Sequence, residues 1–208
     1  MQQTALHRAA TWGHTEVVEL LLRPEWGTGI DAEDQSNRTP LYFAAAGGHI
    51  AIVKCLIQAG ANVNALDRRN QTILFEPAGR GHTPVVVELL LNSGADLHGE
   101  QREKETPLHW AAQNGQDTMI EQLINAGANV ESKYLSQLPG IHEAARKGED
   151  TTIRNLITRG TNIDAKDARG RSALHWAALR GHNVVFLRLV LAAGANIELS
   201  DDSGQTAI

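Results

Sequence analysis

The chain has a single cysteine, Cys55, among 208 residues, so no disulfide can form within it. A lone thiol fits a reducing compartment, and the reading is an intracellular protein, cytoplasmic or nuclear. Aromatic residues are scarce at 4% while apolar residues make up 42%, which points to a core of small aliphatic side chains. No apolar run reaches the ~18 residues that a membrane-spanning helix needs. Residues Met1 to Arg8 carry no apolar core of a signal peptide. No Gly-rich phosphate loop, no zinc-spaced cysteine pair and no G-x-S-x-G elbow occurs. The expectation is therefore a non-catalytic protein with no cofactor and no metal.

One short pattern does recur. Thr4-Ala5-Leu6-His7, Thr39-Pro40-Leu41-Tyr42, Thr72-Ile73-Leu74-Phe75, Thr106-Pro107-Leu108-His109, Pro139-Gly140-Ile141-His142 and Ser172-Ala173-Leu174-His175 start 33 to 35 residues apart, and a seventh copy begins at Thr206. Alanine pairs follow in most copies, as at Ala9-Ala10, Ala111-Ala112 and Ala177-Ala178. Then come a glycine (Gly13, Gly48, Gly81, Gly115, Gly148, Gly181), an aliphatic run and a closing glycine such as Gly60 or Gly127. Proline costs little in the first turn of a helix, where its missing N–H has no intrahelical partner. Glycine can end a helix in the left-handed conformation. Each copy thus reads as helix, turn, helix, loop, with Thr15, Thr83 and Asp150 as expected N-caps of the second helices. Small residues on the first helix and bulky ones on the second make a wedge, and stacked wedges curve.

This pattern resembles the ankyrin repeat, and the segment from Thr106 to Asn129 is similar to a consensus unit. The resemblance implies an all-α ankyrin-repeat solenoid of stacked helix-turn-helix units with protruding hairpin loops. It forms a single domain, 1–208, with repeats at about 1–33, 34–66, 67–100, 101–133, 134–166 and 167–200 and a partial one at 201–208. Each such unit leans on its neighbours for stability. The apolar second helix of repeat six, Val184 to Leu191, has no obvious polar cap, and the chain reads as a monomeric piece of a longer protein. The same resemblance makes His7, His109, His142 and His175, and likewise His14, His49, His82 and His182, braces within and between repeats rather than ligands or bases.

Several residues depart from the pattern. Pro77 inside a first helix predicts a helix that is kinked or begun late. Cys55 reads as a small buried hydrophobe. Trp110 and Trp176 share a slot, which argues for packing. Trp26 reads as a plug for the widened loop Pro24 to Gly29. Asn64 reads as a loop residue bonding its own turn rather than as a modification site.

The family binds proteins through hairpin tips and the exposed ends of the first helices. Carried over, that places Arg38 of repeat two and Arg68, Arg69, Gln71 and Arg80 of repeat three on a concave face. Repeat four adds Arg102, Glu103, Gln113 and Asn114, and repeat five adds Arg146 and Lys147. Repeat six adds Arg169, Arg171 and Arg180. Trp12 is either a contact residue or an exposed terminal aromatic. The repeat-five hairpin, with Tyr134, Leu135 and Leu138, either packs on its neighbours or forms an apolar anchor. Over repeats three to six this face counts nine basic residues against two acidic ones, Glu103 and Glu105, on a chain of net charge −5. Sorted charge of this kind steers partners. The expected partner is an acidic or phosphorylated protein segment. Alternatives are an accessory or substrate-recognition domain of a larger enzyme or signalling receptor, and, more weakly, nucleic-acid binding. Overall acidity and the lack of stacking aromatics among the arginines argue against nucleic acid.

Overall fold

The computed structural model describes residues 3–80, 84–99, 105–129 and 140–208. It is all-α. Among the described residues the only extended pairing is an isolated antiparallel bridge between Ser200 and Thr206. The chain forms two compact units, Met1–Arg102 and Glu103–Ile208.

The first unit holds α1 (Ala5–Trp12), α2 (Thr15–Leu21), α3 (Pro40–Ala46), α4 (Ile50–Gln58), α5 (Phe75–Arg80) and α6 (Pro84–Asn92). The first helices α1, α3 and α5 pack in one row and the second helices α2, α4 and α6 in another. The second unit repeats this with α7 (Pro107–Gln113), α8 (Asp117–Asn125), α9 (Gly140–Lys147), α10 (Asp150–Thr158), α11 (Ala173–Arg180) and α12 (Asn183–Leu187). Each row closes because its buried side is small on one helix and bulky on the other. Ala44 and Ala45 face Ile52, Val53 and Leu56 in repeat two, and Ala144 and Ala145 face Ile153 and Leu156 in repeat five; all are buried. A buried aliphatic side chain of this size stabilises by about 1.5–3 kcal/mol relative to an exposed one.

Three of the first helices, α1, α7 and α11, start on a reciprocal cap. The Thr4 hydroxyl accepts from the His7 backbone N–H while His7 Nδ1 accepts from the Thr4 backbone N–H at 3.1 Å. Thr106 with His109, and Ser172 with His175, repeat the arrangement. Histidine here does the work of the glutamate of a capping box. The second helices start differently. Thr15 and Asp150 are the first helical residues, not caps; the caps are His14 and Glu149, which use no side-chain bond. The preceding glycine turns the chain so that the residue after it already accepts the first helical bond, as His14 O does from Val18 N at 3.0 Å. Thr83 lies outside the described residues.

Pro77 delays its helix. The other first helices begin one residue after the motif start, whereas α5 begins at Phe75, three residues after Thr72. That puts Pro77 in the first turn, where no helical N–H is required of it.

Two expectations fail. Trp26 is 63% exposed, at the end of a short 3-10 turn over Pro24–Trp26, and plugs nothing. Cys55 is only half-buried, because its position on α4 faces the Glu19 carboxylate of α2 rather than the core. Burial, then the Glu19 charge, push its thiol pKa up.

Repeat six carries a further irregularity. The stretch from Asn183 to Gly194 is one residue longer than Asp150 to Gly160 or Ile50 to Gly60. The extra residue is absorbed as a π-helical turn over Arg188–Ala192, the usual outcome of an insertion inside a helix. The closing bond shows it: Ala195 N reaches Leu189 O, six residues back, where Thr161 N reaches Leu156 O, five back.

Candidate partner-binding surface

Four hairpins among the described residues are each built on one aspartate. Asp34 Oδ1 accepts from the backbone N–H of Ser36 at 2.7 Å and of Arg38 at 3.0 Å. Asp67, Asp167 and Asp201 make the same pair of bonds two and four residues on. The tip is completed by a residue with positive φ, Asn37, Asn70, Gly170 or Gly204. Neighbouring tips join through Arg68 N to Ser36 O and, in the second unit, Asp202 N to Arg169 O, both 3.0 Å.

The motif histidines latch one repeat to the next hairpin. His7 Nε2 donates to the Arg38 carbonyl at 2.9 Å, His142 Nε2 to that of Arg171 at 3.0 Å, and His175 Nε2 to that of Gln205 at 3.1 Å. In His7 and His175 the Nδ1 atom accepts from the helix cap, so both ring nitrogens are engaged. The second histidine of a repeat reaches backward. His49 Nε2 donates to Thr11 O at 3.1 Å and His182 Nε2 to Arg146 O at 3.0 Å. His82 lies outside the described residues.

Several arginines expected to face a partner are held by carboxylates of the chain itself. Arg38 pairs with Asp34 at 2.7 Å and lies over the Phe43 ring, 4.7 Å from its centroid. Arg171 pairs with Asp167 at 2.9 Å and covers the Trp176 ring at 4.0 Å. Arg80 pairs with Glu76 at 2.7 Å, and Arg146 and Lys147 both pair with Glu143. The nine-to-two excess is therefore smaller than the sequence implied, because Glu76, Glu143 and Asp167 sit within reach of the counted cations. Arg68, Arg69, Arg169 and Arg180 remain exposed, and no carboxylate pairs with any of them among the described residues.

Three other expected contact residues need correction. Gln71 is buried, since the Asp67 turn draws its backbone inward. Glu105, counted as an exposed acid, is buried too; it accepts from Trp110 Nε1 at 2.8 Å and from Gln113 Nε2 at 2.7 Å. Gln113 is thereby half-buried and engaged. In repeat six the equivalent indole, Trp176 Nε1, donates to Asp167 at 3.2 Å. Repeat four has Gln101, and repeat five Tyr134, where the other four hairpins have that aspartate; in repeat four Glu105 supplies the carboxylate to the indole instead. The signal was in the sequence: a missing hairpin aspartate beside a new glutamate and a tryptophan. Asn114 is exposed at the end of α7, and Trp12 is 70% exposed at the end of α1. Arg102, Glu103, Tyr134, Leu135 and Leu138 lie outside the described residues.

The side chain of Asn64 does not hold its own turn, where Asn62 Oδ1 accepts from Asn64 N at 2.9 Å; it reaches the next repeat. Its Oδ1 accepts from Asp96 N at 2.8 Å and its Nδ2 donates to Gly94 O at 3.0 Å, tying repeat two to repeat three.

The hairpin carboxylates set an acid limit. Burial alone would raise the pKa of Asp34 and of Asp167, but the backbone N–H groups and the paired arginine outweigh it and hold both below the ordinary range. Asp150 is held low chiefly by Arg188. A carboxylate with a lowered folded pKa adds stability above its unfolded value of about 3.9, and that stability fades as pH falls through the folded one. The melting temperature is expected to fall steeply below about 4, where these carboxylates take up protons. A series of melting curves checks this; a melting temperature that holds steady below about pH 4 would mean that the carboxylate pairs add nothing to stability.

Three copies of the ankyrin-repeat family model match residues 1–67, 48–134 and 141–208. The chain belongs to the ankyrin-repeat family. Such repeats generally mediate protein–protein interaction and are typically non-catalytic. In overall structure the chain is similar to the ankyrin repeat domain of human ASB11, with a TM-score of 0.84 at 25% identity, covering 99% of this chain and 90% of that one. It is also similar to the ankyrin repeat domain of Bcl-3, a member of the IkappaB protein family, with a TM-score of 0.87 at 26% identity, covering 99% and 92%. Among curated proteins, Rabankyrin-5 of Mus musculus is 43% identical over 56 residues and that of Homo sapiens 41%. Those matches span 27% of this chain and 5% of the relatives' length. No helix among the described residues is long and apolar enough to cross a membrane, and none of their His, Cys, Asp and Glu side chains form a group able to hold a metal ion.

Proposed function

We propose that the chain is a recognition module that holds an acidic or phosphorylated protein segment at its hairpin tips and first-helix ends. The observation that carries this reading is the division among the arginines. Those at Arg38, Arg80, Arg146 and Arg171 are occupied by carboxylates of the chain, whereas Arg68 and Arg69 in the first unit and Arg169 and Arg180 in the second stand exposed. Arg68 uses its Nε on Asn37 Oδ1 at 3.4 Å, and a guanidinium without a carboxylate partner keeps terminal donors for a carboxylate or phosphate. Trp12 offers an apolar contact in the first unit, and aromatic side chains of this kind often anchor interfaces. On sequence grounds Arg102 and Glu103, and the apolar Tyr134, Leu135 and Leu138, belong to the same recognition surface. The reading gives the chain no catalytic step.

The test is binding of a fluorescein-labelled glutamate-rich peptide and its phosphoserine counterpart, followed by anisotropy. Raising salt from about 0.05 to about 0.3 M should weaken binding about tenfold. The double variants Arg68→Glu/Arg69→Glu and Arg169→Glu/Arg180→Glu should each weaken it by about tenfold or more. Salt-independent binding, or tighter binding of a single-stranded oligonucleotide than of either peptide, would defeat the proposal.

A further inference from the structure

The second helix of repeat six differs from the others on its outward side. Val184, Leu187 and Leu191 are 64%, 54% and 78% exposed. At spacings of three and four they form a stripe along one face of α12 and the π-helical turn that continues it. Counted from the helix start, the same positions hold Ala51, Lys54 and Gln58 in repeat two, Thr118, Glu121 and Asn125 in repeat four, and Thr151, Arg154 and Thr158 in repeat five. Those residues are exposed although another repeat is stacked beside each of them. A further repeat would therefore leave this stripe uncovered; it is not a stacking face.

The helix register sets the stripe. Leu189 holds the buried place that Leu56, Leu123 and Leu156 hold at the same count from the helix start. Two residues on, Leu191 falls at the outward position of Gln58, Asn125 and Thr158. Long apolar side chains thus stand at three successive outward positions, and surface patches of this kind mark interaction sites.

Beside the stripe the surface is basic. On α10, packed against α12, Arg154 is exposed at the level of Leu187, and Arg159 is exposed just past the level of Leu191. Asp150 is the carboxylate between the helices. It pairs with Arg188 at 2.7 Å and with Arg154 at 3.2 Å, so one acid serves two arginines and Arg159 adds a third cation. At the other end of the stripe, a shallow groove lined by Gly148, Gly181 and His182 opens next to Val184.

We infer that this outward face of repeat six docks an amphipathic α-helix of a partner protein, its leucine-type stripe on Val184, Leu187 and Leu191 and an acidic flank toward Arg154 and Arg159. Helices bind in this way through apolar residues at intervals of three and four. A second copy of this chain fits less well, because a two-fold pairing of the stripes would bring these arginines toward their own copies.

The probe is a labelled designed helix with leucines at positions i, i+3 and i+7 flanked by glutamates, with a lysine-flanked version as its comparison. The acidic helix should bind about tenfold or more tightly than the basic one. The variant Leu187→Lys/Leu191→Gln, which restores side chains that other repeats carry there, should keep the melting temperature and lose about tenfold or more of that affinity. The variant Arg154→Glu/Arg159→Glu should reverse the preference between the two peptides. No binding, equal binding of both peptides, or an unchanged affinity in the leucine variant overturns the inference. So do dimerisation abolished by the leucine variant, which would make the occupant a second copy, and binding to phosphatidylserine vesicles in place of the peptide, which would make it a membrane.

Discussion

Replacing Gly148 with alanine should destabilise the protein by about 3 kcal/mol, while the same change at Gly160 should cost about 1 kcal/mol. Both glycines have left-handed backbones, φ +78° and +77°, so both variants carry the strain of a side chain in that conformation. They differ in what the new methyl group meets. At Gly160 the space is open. At Gly148 the methyl carbon would lie 2.6 Å from His182 Nδ1 and 2.8 Å from its Cγ. The ring must then move and release the Arg146 carbonyl, a bond worth about 1 kcal/mol net and more where the carbonyl is left unpaired. Urea titration of the two variants measures the gap. The double variant Gly148→Ala/His182→Ala should recover part of the loss, since the clash is gone. Equal midpoints for the two glycine variants would mean that the backward histidine contact adds nothing to the stack.

Asp167→Ala is expected to lower stability by about 3 kcal/mol and the melting temperature by about 6–12 °C. The side chain is buried, and one oxygen holds the backbone N–H groups of Arg169 and Arg171 while the other holds the Arg171 guanidinium and the Trp176 indole. Asp167→Asn should cost about half as much, because the amide oxygen keeps the turn and the amide nitrogen faces two donors it cannot satisfy. Differential scanning calorimetry of the two variants separates the contributions. If asparagine proves as damaging as alanine, the turn bonds contribute nothing and the charge carries the whole effect.

The helical scaffold was legible because its signals are local and repeated. Thr4 to His7 and its copies, the alanine pairs and the recurring glycines each state a backbone requirement, and most units state all of them again. Even the exception at Pro77 could be read, since proline has few permitted places in a helix. The binding surface was less legible because charge pairing depends on where side chains meet. Arg171 and Arg169 look alike in the sequence, yet one lies on Trp176 and the other is exposed. Glu105 could be read as a surface acid only while Trp110 and Gln113 were not known to reach it. Leu191 shows the same limit in a helix: its side chain is of a core type, yet it stands at an outward position.

The forward latch grips main chain, not side chain. His7, His142 and His175 each reach the carbonyl oxygen of the last hairpin residue before the next helix cap, and that oxygen is present whatever the residue is. The residues at this slot are Arg38, Gln71, Glu105, Leu138, Arg171 and Gln205, spanning cation, amide, anion and hydrocarbon. Descent with mutation can therefore rewrite the hairpin's chemistry one letter at a time while the interlocking of repeats stays intact. Assembly and recognition are thereby inherited as separate traits, and a new target can be acquired without re-inventing the scaffold.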